Sequence, residues 1–98
     1  MSGTRTEVWI AAHEGRDLIR ADAIVMLRFD ETGRLTAQLH DQPQVSVALL
    51  EGTALRRPPA DFHRQLIRTV SQLEDSSGAR VVHASLGTDG WRWVSEPL

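Results

Sequence analysis

Residues 59–74 read PADFHRQLIRTVSQLE, and this stretch decides the fold class. Phe62, Leu66, Val70 and Leu73 recur at spacings of four, four and three, the single apolar stripe of a 3.6-residue helix. Ile67 widens that stripe, while Arg64, Arg68, Ser71 and Gln72 fall on the opposite, wet face. Pro58-Pro59 interrupts whatever precedes and pre-sets the first helical turn. Asp61 lies in that first turn, where it suits the helix dipole, and Asp75-Ser76-Ser77-Gly78 ends the helix with Gly78 placed to take a left-handed cap. The spacing therefore predicts one amphipathic helix over about 59–74.

Upstream the rhythm changes to a period of two. Thr6 to His13 reads as a strand with apolar residues on both faces (Val8, Ile10, Ala12 against Trp9, Ala11), as a central strand would have. After a turn at Glu14–Asp17, Leu18 to Arg20 reads as a short return strand. Ala23 to Phe29 is the most hydrophobic segment, with Ala23, Val25, Leu27 and Phe29 on one face and Ile24 and Met26 on the other, both expected to be covered. Asp30-Glu31-Thr32-Gly33-Arg34 is a polar turn with Gly33 placed for a positive φ, and Leu35 to His40 then alternates cleanly, so 23–40 is the clearest hairpin. A turn at Asp41–Gln44 leads to a strand with Val45, Val47 and Leu49 inward. Downstream of the helix, Arg80 to Leu86 and Trp91 to Val94 flank the turn Gly87-Thr88-Asp89-Gly90 and form a C-terminal hairpin.

An apolar sheet face and an apolar helix stripe bury each other when stacked. The expected architecture is an α+β fold: a twisted antiparallel meander, able to curl into a half-barrel, with the 59–74 helix packed across it and the C-terminal β-hairpin completing it. Residues 1–98 are expected to form one small domain, frayed at 1–5 and 95–98.

Composition bounds the chemistry. The apolar fraction of 41% and charged fraction of 24% are those of an ordinary globular domain. There is no cysteine, which removes disulfides, thiolate catalysis and cysteine-ligated metal centres. There is no lysine either, so all eleven cations are arginine and Schiff-base chemistry is excluded. The arginine and alanine usage suits a GC-rich, bacterial coding sequence. Met1 to Arg5 lacks a hydrophobic signal core, and no apolar run approaches the roughly 18 residues of a membrane span. These features place the expectation in the cytoplasm, with no membrane partner.

No motif carries a recognisable reaction. His13, His40, His63 and His83 are far apart and form no ligand-spaced pair, no serine stands in a nucleophile elbow, and Gly87–Gly90 lacks the lysine and helix of a phosphate loop. The reading leans away from an enzyme, with no cofactor or metal expected. Two local features stand out. Trp91 and Trp93 project from one face of the last strand with Arg92 on the other, and Trp and Arg favour interface hot spots. Arg56, Arg57, Arg64 and Arg68 form a basic cluster in which Arg64 and Arg68 sit one helical turn apart.

Three functions follow as expectations. The first is a non-enzymatic protein-interaction module that binds itself as a homodimer, or another protein, through Trp91, Trp93 and Arg92. The alternative is a nucleic-acid or anion-binding module using Arg56, Arg57, Arg64 and Arg68, although a net charge of −2 leaves that patch to act alone. The third is a small-molecule binder or enzyme with a site in the curled sheet, near His13, His83 and Trp9.

Overall fold

A computed structural model describes residues 7–52, 55–74 and 78–98. In chain order the elements are β1 (Val8–Ala11), β2 (Leu18–Arg20), β3 (Ile24–Phe29), β4 (Arg34–Leu39), β5 (Gln42–Glu51), α1 (Phe62–Leu73), β6 (Arg80–Gly87) and β7 (Gly90–Pro97), with short 3-10 turns at His13–Gly15 and Ala21–Ala23. The strands divide between two sheets. One is the expected antiparallel meander, in the order β3-β4-β5; the other has the order β2-β1-β6-β7. Within the second sheet β1 pairs antiparallel with β2 but parallel with β6, in the register Ile10↔Val82. The fold is thus α+β with two mostly antiparallel sheets, neither closed, and one helix packed across them.

Local chemistry explains the hairpins. Asp30 Oδ1 accepts from the Thr32 hydroxyl at 2.6 Å, the Thr32 amide at 2.9 Å and the Arg34 amide at 3.0 Å, which turns the chain between β3 and β4. Gly33 takes the positive φ (87°) that this turn requires. The β4–β5 turn is tighter than expected: β5 starts at Gln42, opposite Leu39. The C-terminal hairpin pairs from Gly87↔Gly90 as far as Arg80↔Pro97, so residues 95–97 belong to β7. The expectation of fraying at residues 1–5, the Thr6 start of the first strand and the turn residues 75–77 all lie outside the described residues.

Three register shifts interrupt the β3-β4-β5 sheet, and two of them decide which side chains reach the core. Between Leu35↔Leu50 and Thr36↔Ala48 the β4–β5 register slips, and both Leu49 and Leu50 become buried although they are adjacent. Between Ile24 and Met26 the β3–β4 register slips as well. That shift turns Ile24, with Leu27 and Phe29, toward the core and leaves Val25 and Met26 outside. The expectation that both faces of this segment are covered is therefore corrected.

The core gathers Val8, Ile10, Leu35, Ala37, Leu49, Leu50, Phe62, Leu66 and Val82. Helix α1 begins at Phe62 rather than 59, after a turn in which the Phe62 amide donates to the Pro59 carbonyl at 3.0 Å. Asp61 stands just before it and accepts from the Gln65 side chain at 2.9 Å. Phe62 and Leu66 are fully buried, with Val70 and Leu73 packed alongside. Ile67 departs from the expected stripe and faces solvent.

Candidate functional site

The expected site residues do not converge on one place, although Trp91 lines the same cleft as His13 and His83. Trp91 and Trp93 share one face of β7, as their spacing requires, and that face is turned inward, with both rings packed against the core. Trp93 stacks on Phe62 with ring centroids 4.6 Å apart, and its Nε1–H donates to the Phe62 carbonyl at 2.9 Å. Trp91 Nε1–H donates to the Arg56 carbonyl at 2.8 Å. Each indole therefore has its polar handle engaged within the chain. Arg92 points the other way and is exposed.

The four arginines are spread along the 55–68 segment. The Arg57 guanidinium donates to the Glu31 carbonyl, which draws that side chain to the β3–β4 turn. Arg64 and Arg68 project from the exposed face of α1. The spacing of the last pair on one face is as the helix predicts, while the loop pair serves in part to fasten the loop.

Two concavities among the described residues bear on function. The larger, of about 540 Å³, opens where β1 turns away from β6 after the Ile10↔Val82 pair. Its lining includes His13, Glu14, Leu49, His83, Trp91 and Glu96. His13 Nε2 lies 3.6 Å from Glu51 Oε2, and His83 Nε2 lies 3.5 Å from Glu96 Oε1. The third expected aromatic, Trp9, lies elsewhere, with the Arg20 guanidinium 5.9 Å from its ring centroid. Glu14 has φ 71° and ψ 0°, the left-handed conformation that non-glycine residues avoid. Among the described residues no group of three or more His, Asp or Glu could hold a metal ion.

The second concavity, about 520 Å³, is a groove between edge strand β3 and helix α1. Val25, Met26 and Ile67 stand on it, 61%, 40% and 59% exposed. His63 closes one part of it, with its ring edge-on to Phe29 at 5.7 Å. The bulge at Val25 and the exposure of Ile67 are what create this apolar rim.

Part of this was readable beforehand. The Gly87–Gly90 turn sets the β6–β7 register, in which His83 faces Val94, and Glu96 is the diagonal neighbour two residues on. The His13–Glu51 pair and the groove depend on a sheet junction and a bulge, which local periodicity does not encode.

No protein-family model, curated protein or solved structure matches this chain. Among the described residues no helix is long and apolar enough to cross a membrane.

Proposed function

We propose that this domain is a non-enzymatic interaction module that acts as a homodimer, and that the β3–α1 groove, rather than the Trp91/Trp93 strand, is the surface through which it pairs. The observation that carries the reading is the exposure of Val25, Met26 and Ile67 together on one groove. Apolar side chains clustered on a concave surface mark an interaction site far better than the same residues scattered. A cytoplasmic setting fits the absence of cysteine.

A second copy is the occupant because helix α1 is self-complementary. Arg64 lies in its first turn and Glu74 just past its end. Along the intervening stripe run Ile67 and Ser71, one turn apart. When two such helices meet antiparallel about a two-fold axis, Arg64 of each protomer faces Glu74 of the other, and each Ile67 enters the opposite groove. A two-fold contact of this kind repeats every favourable pair twice.

Sedimentation equilibrium over a range of concentrations tests the reading. Wild-type protein should self-associate, whereas Ile67→Asp should stay monomeric with an unchanged circular dichroism spectrum. A wild-type protein that remains monomeric at high concentration, or an Ile67→Asp variant that still dimerises, removes the proposal.

A further inference from the structure

The cleft at the junction of the sheets has a chemistry that self-association does not use. Its floor is apolar, built from Leu49 and Leu50 of β5, Ala84 of β6 and the Trp91 ring. Its rim is polar and acidic: Glu14 and Glu96 line it directly, and Glu51 stands behind His13. None of the described arginines is among the lining residues, in a chain where every cation of this kind is an arginine. His13 and His83 line it as well, 3.6 Å from a Glu51 oxygen and 3.5 Å from a Glu96 oxygen. A concave site with apolar walls and with carboxylates but no guanidinium at its rim favours a ligand of opposite charge with an apolar body. Its volume of about 540 Å³ is that of a small-molecule site.

The loop that supplies the rim is held in a definite shape. The Ala12 amide donates to the Asp17 carbonyl and the Gly15 amide to the Ala12 carbonyl, both at 2.8 Å. Within it Glu14 and Gly15 both have positive φ, 71° and 73°. Glycine would occupy position 14 without strain, yet a carboxylate is carried there, at the mouth of the cleft.

We infer that this cleft binds a small organic cation, an aryl- or alkylamine whose apolar body lies on Leu49, Leu50 and Trp91 and whose ammonium group sits among the rim carboxylates of Glu14 and Glu96. The aromatic ring in the lining suits the same ligand, because π-faces attract cations as carboxylates do. This site is independent of the β3–α1 groove and stands whether or not the chain dimerises.

The test is a titration of isotopically labelled protein with 2-phenylethylamine, followed by the NMR signals of the Trp91 indole and the Leu49 and Leu50 methyl groups. Matched titrations use 3-phenylpropanoate, which has a similar body and the opposite charge, and methylammonium, which has the charge without the body. The amine should produce saturable shifts at these three residues, and neither control should. Glu14→Gln and Glu96→Gln, both at exposed positions, should each weaken binding about threefold, as expected for a single exposed charge contact. Ile67→Asp should leave the titration unchanged. Equal binding of the carboxylate probe, shifts centred on Val25 and Ile67, or no saturable shift would each overturn the assignment.

Discussion

The indole of Trp93 lies nearly parallel to the ring of Phe62, at 15° and 4.6 Å between centroids, and donates its N–H to the backbone carbonyl of that same residue. One side chain of the last strand thereby fastens the first turn of α1 by both packing and hydrogen bonding. Trp93→Phe should keep the stacking and lose the hydrogen bond, costing about 1 kcal/mol. Trp93→Ala should cost about 3 kcal/mol, the lower end for removing a large core ring. Urea denaturation separates the two: equal losses for both variants would show that the stack contributes little.

Glu14 should be a position where stability can be gained. A non-glycine residue in the left-handed region costs about 1 kcal/mol. Glu14→Gly should therefore raise the midpoint of thermal unfolding, while Glu14→Ala, which removes the charge and keeps the β-carbon, should not. If both variants stabilise equally, the relief is electrostatic rather than conformational.

Gly52 should tolerate no side chain. A β-carbon there would lie 2.8 Å from Pro58 Cδ and 3.0 Å from the Gly33 carbonyl oxygen, inside the contact that ties the end of β5 to the β3–β4 turn. The Gly52 amide also donates to that carbonyl at 3.0 Å. Gly52→Ala should destabilise by about 1–3 kcal/mol, the usual range for overpacking. Adding Pro58→Ala should recover part of the loss, a coupling that a double-mutant cycle measures.

Asp30 should titrate below the ordinary carboxylate range. The Thr32 hydroxyl contributes most to this, and the Arg34 backbone amide is next, since both hydrogen bonds favour the charged form. Its stabilising contribution is then fully present above its unfolded value of about 4 and is lost as pH falls through the lower folded value. Thr32→Val should move the Asp30 titration upward toward the unfolded value. Carboxyl-carbon NMR reads the shift directly, and an unchanged midpoint would show that the backbone amides suffice.

Much of the architecture was legible in the chain, and the reasons are local. A turn such as Asp30–Arg34 carries its own hydrogen-bonding logic, and a stripe such as Phe62, Leu66, Val70 and Leu73 fits only a helix. The division into two sheets was not legible, because the parallel pairing of β1 with β6 joins segments that no short-range pattern relates. Nor were the outward facing of Val25 and the burial of Leu50 beside the expected Leu49, since a single bulge exchanges the sides of a strand. At the candidate sites, His13 and His83 stood out as titratable groups and Glu96 follows from the hairpin register, but the His13–Glu51 pair and the conformation of Glu14 arise only on folding. The shared face of Trp91 and Trp93 was readable, whereas its inward direction depended on where α1 settles.

The parallel β1–β6 pairing also sets an order of events for the nascent chain. β1 is the central strand of its half of the sheet, yet its β6 neighbour is drawn from the opposite end of the molecule. Until that partner has been synthesised, Val8 and Ile10 have only the short β2 beside them, whereas the β3–β4–β5 meander can form at once from neighbouring residues. Contacts that close so long a loop are slow to make and reward the chain only when complete. Folding of this domain should therefore be gated by β6, with the meander assembled early and β1 waiting, exposed, for that later strand.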